Sequence, residues 1–226
     1  MLCIGHRGAA GHEPENTLRS IRRALQMGAD GVEIDVYFHQ GALIVLHDAR
    51  LDRTTNARGP FRRHTLDSLR RLDAGKGERI PLLHEVLDTV NRRALVNIEL
   101  KGPRTAAPVL ALLRDYLFRG WTPADFILSS FRRTELRQLR ASGFPVGILF
   151  ARSPRLFRPL ARSLDAYSIH VPLSQVTSRL VSRVHADGRK LFVFTVNDRA
   201  DMDRMQALGV DAIFTDFPDR WTHNIR

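Results

Sequence analysis

The feature that most constrains the fold of this chain is a repeated alternation between short apolar segments and longer amphipathic segments. Short apolar runs predict buried strands, and the amphipathic segments predict helices that cover them. A strand followed by a helix, repeated many times, is typical of a parallel sheet, because parallel strands need long crossover connections. From residue 94 onward, the predicted strands are 94–100, 126–130, 146–150, 166–170, 191–196 and 212–215, and the predicted helices are 106–118, 132–142, 155–163, 174–186 and 200–208.

The first part of the chain adds two further strands of the parallel type and one hairpin. The strands are predicted at 3–6 and 31–37, and a turn at 40–41 leads the second strand into a hairpin arm at 42–46. Between the two strands, a helix is predicted from about Glu15 to Gly28, with Asn16 or Thr17 as its cap. Another helix is predicted to open at Pro81 and to extend to residue 91.

Eight strands of the parallel type in a chain of 226 residues favour a (β/α)8 TIM barrel, in which functional residues lie at the carboxyl ends of the strands. A doubly wound open sheet is the alternative. However, the segment 8–11 after the first strand lacks the glycine spacing of a dinucleotide site. No stretch has the glycine, proline and serine content typical of a linker. We therefore predict a single α/β domain over residues 1–226.

Two acidic residues lie two positions apart in the predicted strand 31–37. Successive side chains of a strand point to opposite faces, so Val32, Ile34 and Val36 share one face while Glu33 and Asp35 share the other. Like charges so close together are costly in a buried strand, because each carboxylate raises the pKa of the other unless a cation neutralises the pair.

The predicted strand 94–100 repeats this pattern. Its polar face carries Asn97 and Glu99 and continues to Lys101. Together with Glu33 and Asp35, Glu99 completes a set of three carboxylates on two strands, which is the hard-oxygen site that Mg²⁺ or Ca²⁺ prefers. The alternative is that these acids face solvent on half-exposed antiparallel strands, which is the common use of such alternation.

The predicted barrel places several reactive side chains at one corner of its mouth. Consecutive βα units are normally neighbours, so the first three strands are adjacent. His6 and Arg7 follow the first strand, Lys101 follows the third, and His47 at the end of the hairpin arm reaches the same corner. The polar ends of these strands predict a site that combines carboxylates, histidines and cations.

Composition limits the classes of function that fit this chain. The net charge of +11 comes almost wholly from arginine, and the arginines are spread through every segment without a block of interleaved aromatic residues. This distribution favours a solvated surface over a nucleic-acid footprint. Cys3 is the only cysteine, which excludes an intrachain disulfide or a thiolate metal cluster. No apolar run has the length of a membrane span or of a secretory signal, so a cytoplasmic protein without stable membrane insertion is expected.

Short motifs occur in a fixed order from the first predicted strand to the last. They are His6-Arg7-Gly8, Pro14-Glu15-Asn16-Thr17, Gly28-Ala29-Asp30, Glu33-Ile34-Asp35-Val36, His47-Asp48, Arg53-Thr54-Thr55, Ile80-Pro81-Leu82, Ile98-Glu99-Leu100-Lys101, Ser129-Ser130-Phe131, Thr195-Val196-Asn197 and Thr215-Asp216. In order, spacing and residue type, these motifs resemble those of the glycerophosphodiester phosphodiesterase family.

The resemblance implies a TIM barrel that binds a divalent cation, Mg²⁺ or Ca²⁺, and hydrolyses small glycerophosphodiesters to sn-glycerol 3-phosphate and an alcohol. Each implied role falls on a residue that matches a family motif. The implied site residues are Glu33, Asp35 and Glu99 as metal ligands, His6 and His47 as the acid and base, Arg7 and Lys101 as phosphate-binding cations, and Glu15 as a supporting carboxylate beside them.

The same resemblance leads to an expected mechanism. A histidine on each side of the phosphate suits proton transfer near neutral pH. The glycerol 2-hydroxyl of the substrate is already tethered beside the phosphorus and has the high effective molarity of an intramolecular nucleophile. We therefore expect a cyclic glycerol phosphate that water opens in a second step, with His6 and His47 exchanging roles.

Two departures from the family pattern concern the substrate. Phe194 stands at a strand end where the family often has tryptophan, and the segment between His47 and Pro81 is shorter than in many relatives. A relative that acts on lysophospholipids or phosphoinositides is thus an alternative within the same superfamily. A non-catalytic basic anion-binding module is a further alternative, but it leaves the acidic strands without an explanation. His170 ends a strand on the same face and is a candidate for lining the site.

Overall fold

A computed structural model describes residues 1–152, 154 and 157–221 of the chain. Within this part, the backbone forms one sheet of nine strands with helices packed outside it. The strands are β1 (Leu2–Gly5), β2 (Gly31–His39), β3 (Ala42–Val45), β4 (Leu95–Leu100), β5 (Phe126–Ser130), β6 (Val146–Leu149), β7 (Ser168–Pro172), β8 (Lys190–Phe194) and β9 (Ala212–Thr215).

Eight of these strands are parallel and close into a barrel, which confirms the predicted (β/α)8 TIM barrel fold. Closure occurs at β1, because this strand pairs in parallel with β2 on one side and with β9 on the other. The remaining strand, β3, is antiparallel to β2 and forms the predicted hairpin arm through a turn at Gln40 and Gly41. The first, second and third parallel strands are neighbours as predicted, since β2 also pairs with β4.

The helices follow the strands in the expected alternation. Several predicted boundaries, including those of the helix Ala106–Phe118 and of strands β5 and β9, agree with the structure residue for residue. The predicted helix at 155–163 begins in residues outside the described part, and its described portion starts at Phe157. The helices are α1 (Leu18–Gln26), α2 (Leu66–Arg70), α3 (Leu83–Val90), α4 (Ala106–Phe118), α5 (Arg133–Leu139), α6 (Phe157–Leu164), α7 (Ser178–His185) and α8 (Arg199–Ala207).

Two predicted helix starts in the first half of the chain are wrong. Helix α1 begins at Leu18 rather than Glu15, because Thr17 is the N-cap and accepts a hydrogen bond from the backbone N–H of Ser20. Asn16 has φ of +59°, a left-handed conformation that a helix does not allow. Helix α3 begins at Leu83, and Pro81 precedes its cap; the Pro81 carbonyl instead accepts a hydrogen bond from the Val45 N–H on β3.

Helix α7 also begins later than predicted. Its first residue is Ser178, because the Thr177 side chain accepts the N–H of Leu180 and caps the helix there. The preceding residues, Leu173–Gln175, form a separate short 3-10 turn.

The apolar side chains form separate clusters on the two sides of the barrel wall. The largest cluster lies between the sheet and the helices and includes Val32, Ile34 and Val36, which are fully buried. A small cluster fills the barrel interior and is formed by Ile4, Ile127, Phe192, Ala212 and Phe214 with Leu95 and Phe194 at its edges. Because the apolar face of β2 packs outward, its acidic face points into the barrel.

A third apolar cluster lies under the loop that connects β3 to α3. Leu51, Phe61, Leu69 and Ile80 are its buried centre. This cluster gives the loop a packed base beside the barrel mouth, and the predicted site residue His47 lies at its start. Among the described residues, none of the helices combines the length and apolarity needed to cross a membrane.

Candidate active site

Most of the predicted site residues line one cavity at the carboxyl ends of the strands. The cavity has a volume of about 180 Å³ and opens at the barrel mouth. Its wall is polar on the β1, β2 and β4 side and aromatic or aliphatic on the β5, β6 and β8 side. The lining residues are His6, Arg7, Glu33, His47, Asn97, Glu99, Lys101, Phe131, Leu149, His170, Phe194, Thr195 and Phe214.

The three predicted metal ligands lie together, and two of them, Glu33 and Glu99, line this cavity. Asp35 on β2 and Glu99 on β4 are direct neighbours in the parallel register, and Glu33 is two residues away on the same face of β2. One carboxylate oxygen from each of the three lies within 4.8 Å of the others. All three residues are buried, with exposed fractions of 8% or less. The alternative of solvent-facing acids on antiparallel strands is therefore wrong.

The three buried carboxylates carry more negative charge than the nearby cationic side chains neutralise. Burial raises the pKa of Glu33 well above its usual range, and the charges of Asp35 and Glu99 raise it further. Burial and the charge of Asp35 raise the pKa of Glu99 to about 7, against the opposing charge of Lys101. Burial also acts on Asp35, but Lys101, with smaller contributions from other cations, outweighs it and lowers the pKa of that carboxyl. Buried hard oxygens with excess negative charge fit a divalent cation such as Mg²⁺ or Ca²⁺.

Arg7 occupies a tight turn directly after β1. Its φ of +54° is rare for a residue with a side chain and turns its backbone N–H toward Glu33, which accepts it at 2.9 Å. The guanidinium donates to Glu15 at 2.8 Å and lies 3.4 Å from Asp35. Gly8 completes the turn, because a Cβ there would lie 2.4 Å from the hydroxyl of Ser20.

Lys101 lies at the end of β4 and contacts two of the carboxylates. Its ammonium nitrogen is 2.9 Å from Glu99 and 3.5 Å from Asp35. Burial opposes the charged form of this lysine, but the two carboxylates outweigh burial and raise its pKa. The side chain is therefore a fixed positive charge at the edge of the cavity.

His6 follows β1 and is held by a carboxylate from the last strand of the barrel. Its Nδ1 is 2.7 Å from Asp216, whose other oxygen accepts a hydrogen bond from the Asn197 amide at 2.7 Å. Burial would raise the pKa of Asp216, but the contact with His6 leads the interactions that lower it. With Nδ1 engaged, Nε2 is the ring nitrogen of His6 left for a ligand in the cavity.

His47 has a matching arrangement at the end of the hairpin arm. Its Nδ1 is 2.6 Å from Asp48, and its carbonyl accepts a hydrogen bond from the Tyr37 hydroxyl at 3.2 Å. Burial lowers the pKa of His47, although the nearby charge of Asp35 opposes this effect. Nδ1 of each histidine thus contacts a carboxylate, an interaction that fixes the orientation of an imidazole.

The Pro14–Thr17 motif contributes side chains that contact the site residues directly, in addition to capping helix α1. Glu15 lies before α1 rather than in its first turn, and it pairs with Arg7 and with Arg53. Asn16, a predicted cap, instead exchanges two hydrogen bonds with Asp35: its amide donates at 2.9 Å and its oxygen accepts the Asp35 N–H at 3.2 Å. This exchange explains why Asn16 adopts a left-handed backbone.

His170 lines the cavity as the sequence suggested, and it is fully buried at the floor. Its Nε2 is 2.8 Å from the hydroxyl of Ser168, and its ring stacks on Phe192 with centroids 4.9 Å apart. Burial lowers the pKa of His170 to about 3, so the ring is neutral at physiological pH. Gly147 provides the space for this ring, because a Cβ there would lie 2.7 Å from it.

Of the histidines away from the cavity, His39 is buried with its Nε2 2.8 Å from the carbonyl of His64, and two others have partners at the surface. His12 pairs with Asp219 and His185 pairs with Asp211, both in exposed positions. His223 lies outside the described residues.

Sequence reasoning assigned no role to several polar residues that the structure places at the site. Asp216 and Asp48 hold the two histidines, and Asn197 holds Asp216. Arg53 contacts both Glu15 and Asp48. Each of these residues belongs to a motif that the sequence analysis quoted, so the signal was present in the sequence, but the contacts depend on loop geometry and barrel closure.

Comparison with known proteins identifies the family of the chain. Residues 6–220 match the profile of the glycerophosphoryl diester phosphodiesterase family. The chain belongs to this family. The family match begins directly after β1 and includes all of β2 to β9, and it confirms the resemblance and the enzyme class predicted from the sequence motifs.

Individual relatives of the glycerophosphoryl diester phosphodiesterase family match nearly end to end. A glycerophosphodiester phosphodiesterase from Caldanaerobacter subterraneus subsp. tengcongensis is 36% identical, and the match covers 100% of this chain and 98% of the relative. An Oleispira antarctica phosphodiesterase, solved in complex with the product sn-glycerol-3-phosphate, superposes with a TM-score of 0.89 at 31% identity, covering 97% of this chain and 94% of the other. A glycerophosphodiester phosphodiesterase structure from Agrobacterium tumefaciens has a TM-score of 0.83 at 32% identity, with 97% and 98% coverage.

Proposed function

We propose that this protein hydrolyses small glycerophosphodiesters to sn-glycerol 3-phosphate and an alcohol. The observation that carries the proposal is one cavity of about 180 Å³, whose lining includes two members of a buried carboxylate trio, two fixed cations and two histidines held by carboxylates. The product complex of the Oleispira antarctica relative supports the same substrate class.

In this proposal, Glu33, Asp35 and Glu99 hold a divalent cation. The fit rests on the donor set: three buried carboxylates with one oxygen each within 4.8 Å of the others. Burial and the neighbouring carboxylate charges raise the pKa values of Glu33 and Glu99. When bound, such a cation would neutralise charge on the phosphate and act as a Lewis acid. Both Mg²⁺ and Ca²⁺ suit this donor set.

Arg7 and Lys101 would bind the phosphodiester beside the carboxylates. A phosphodiester is an anion that repels nucleophiles, so fixed positive charges near its oxygens lower the barrier to attack. Arg7 is held by contacts with Glu15 and Asp35, and Lys101 by contacts with Asp35 and Glu99. These contacts hold both cations in position before substrate arrives.

His6 and His47 would act as the acid and base. Both line the cavity, and each has Nδ1 against a carboxylate, which favours Nε2 as the atom that exchanges a proton with the substrate. One histidine would remove the proton of the glycerol 2-hydroxyl, and the other would protonate the leaving alcohol. The product of this step would be a cyclic phosphate, whose formation is favoured because the attack is intramolecular. Water would then open the cyclic phosphate, with the roles of the two histidines reversed.

The wall opposite the charged residues would contact the alcohol. Phe131 and Phe194 meet edge to face there, with centroids 6.1 Å apart, and Leu149 lies beside them. Phe131 is 41% exposed, so this wall extends from the cavity to the surface. Apolar walls tolerate many alcohols, which favours a broad choice of small head groups over recognition of a single one.

A product assay tests the proposed function. The purified protein would be incubated with glycerophosphocholine, glycerophosphoethanolamine and glycerophosphoglycerol, and sn-glycerol 3-phosphate would be measured by a coupled dehydrogenase. We expect turnover of at least one substrate, its loss after exhaustive chelation, and its recovery on addition of Mg²⁺ or Ca²⁺. Lysophosphatidylcholine serves as the comparison substrate, with released choline as the readout because its phosphate product keeps the acyl chain, and turnover of that lipid alone would contradict the proposal. The cytoplasmic location stays a prediction.

A further inference from the structure

Arg53 connects the two sides of the candidate active site through a continuous chain of ion pairs. Its Nε donates to Asp48 at 2.7 Å, and one terminal nitrogen donates to Glu15 at 2.8 Å while the other contacts the second oxygen of the same carboxylate. Asp48 in turn contacts His47 at 2.6 Å, and Glu15 accepts from Arg7 at 2.8 Å. One guanidinium therefore lies one carboxylate away from a proposed acid/base residue and one carboxylate away from a proposed phosphate-binding residue.

The geometry of this contact requires arginine rather than any cation. A guanidinium presents donors in a planar fork, so it can engage one carboxylate through two nitrogens and a second carboxylate through the third. Arg53 uses its fork in this way on Glu15 and Asp48. A lysine ammonium keeps the charge but offers no planar fork that spans both carboxylates.

Arg53 also lies on a loop that is fixed on both sides. Leu51, two residues before it, is fully buried in the cluster under the loop, and the Leu51 N–H donates to the carbonyl of Gly59 at 2.9 Å. Asn56, three residues after it, exchanges hydrogen bonds with Asp73, at 3.0 Å through its N–H and 3.1 Å through its side chain. The backbone of Arg53 is thereby anchored, and the side chain can transmit this fixed position to both carboxylates.

We propose that Arg53 is a positioning residue that holds His47 and Arg7 in a fixed relation to each other, through Asp48 on one side and Glu15 on the other. This inference rests on the proposed function, because it assigns proton transfer to His47 and phosphate binding to Arg7. Arg53 does not line the active-site cavity, and its ion pairs go to Glu15 and Asp48 rather than to the carboxylate trio. Its effect on the reaction is therefore indirect and passes through two separable contacts.

The first experiment compares Arg53→Ala with a matched control on the same loop. Arg50 is three residues earlier, has a more exposed side chain, and pairs only with Asp52 among the described residues. We expect Arg53→Ala to lower kcat/KM for the best glycerophosphodiester by about 10²-fold, the loss that a misplacement of about 1 Å can cause. Arg53→Lys should recover only part of this loss, and Arg50→Ala should keep wild-type kinetics.

The second experiment separates the two contacts by double-mutant cycles. If Arg53 acts on His47 through Asp48, then Asp48→Asn and Arg53→Ala should lower kcat, and the double variant should lose little more than the worse single variant. If Arg53 acts on Arg7 through Glu15, then Glu15→Gln and Arg53→Ala should each weaken inhibition by sn-glycerol 3-phosphate. The double variant should then bind this product little more weakly than the worse single variant. A residue that merely stabilised the fold would give additive losses in both measurements.

The third experiment is chemical rescue of Arg53→Ala with free guanidinium. The Arg53 side chain is half exposed and borders an open cavity of about 450 Å³, so a small cation can enter the space left by truncation. Millimolar guanidinium chloride, well below denaturing concentrations, should raise the kcat of Arg53→Ala severalfold. Sodium chloride at the same concentration should not, and neither salt should raise the activity of the wild type or of Arg50→Ala.

These outcomes distinguish this inference from the proposed function. An inactive wild type in the product assay would overturn the proposed function and this inference with it. An active wild type with an Arg53→Ala variant of equal kcat/KM, or additive cycles, would overturn the inference alone. Thermal unfolding of each variant is the accompanying measurement. If Arg53→Ala does not fold, Arg53→Lys takes its place in the cycles, where additive losses would again overturn the inference.

Discussion

Replacing Glu99 by glutamine is expected to stabilise the protein in the absence of a divalent cation. Glu99 is buried beside Asp35, and its Oε1 accepts a hydrogen bond from Lys101 at 2.9 Å. Glutamine has the same shape and keeps an oxygen that can accept this hydrogen bond. The substitution therefore removes the negative charge while retaining the packing and the contact with Lys101.

The magnitude follows from the pKa of this carboxyl. Burial and the charge of Asp35 raise the pKa of Glu99 from the usual 4.5 to about 7. A displacement of this size corresponds to a penalty of about 3 kcal/mol when the carboxyl is ionised in the folded protein. Below about pH 4 the carboxyl is protonated whether the chain is folded or unfolded, so the wild type and the variant have equal stability there.

The sign of the pH dependence is fixed by the direction of this shift. A carboxyl whose pKa is higher in the folded state contributes stability that is lost as the pH rises from the unfolded value through the folded value. The wild type therefore loses up to about 3 kcal/mol between about pH 4.5 and about pH 7 through Glu99, and Glu99→Gln does not. At pH 8 in EDTA, the variant is expected to unfold at a temperature roughly 10 °C higher.

The assay is urea and thermal unfolding of both proteins in EDTA at several pH values from 4 to 8. Asp115→Asn is the control, because Asp115 is an exposed carboxylate on the outer helix α4. Addition of Mg²⁺ should stabilise the wild type more than Glu99→Gln and narrow the difference, since a cation that binds only the folded state stabilises it. If Glu99→Gln were no more stable than the wild type at pH 8 in EDTA, the ionised Glu99 carboxylate would not destabilise the folded protein, and the reasoning would be refuted.

Three further predictions concern the reaction. His6→Ala and His47→Ala should each lower kcat by about 10²–10⁴-fold in the product assay without unfolding the protein, and wild-type kcat in either variant would remove that histidine from the proton transfers. Asp216→Asn should lower kcat by a comparable factor, because it removes the charge held 2.7 Å from His6 Nδ1, and a change confined to KM would contradict that role. A substrate without the glycerol 2-hydroxyl should inhibit competitively but not react, and its cleavage at a rate near that of glycerophosphocholine would exclude the cyclic phosphate.

The parts of the site that were predictable from the sequence are those set by strand periodicity. Glu33 and Asp35 share a face because they are two residues apart, and Glu99 joins them because consecutive parallel strands pair. The first rule concerns residues within one strand, and the second concerns strands that follow each other along the chain. His47 was predictable in the same way, since a hairpin arm returns antiparallel to its strand and ends close to where that strand passes the mouth.

The contacts that escaped prediction depend on backbone conformations that propensity does not specify. Asn16 reads as a helix cap in the sequence, but in the structure its amide serves Asp35 and its φ is +59°. Arg53 belongs to a sequence motif that carried no assigned role, and only the anchored loop directs it to Glu15 and Asp48. In both cases a tertiary contact outweighs the local preference of the residue.

Barrel closure is what joins the two ends of the chain into one site. The partner of His6 is Asp216, 210 residues away in sequence, and the two meet because β1 pairs with β9, the last strand of the barrel. In an open doubly wound sheet with the same strands, β2 and β4 would still bring the carboxylates together, but His6 would not have this partner. The carboxylate trio therefore depends only on neighbouring strands, whereas the orientation of one proposed acid/base residue depends on the completed (β/α)8 fold.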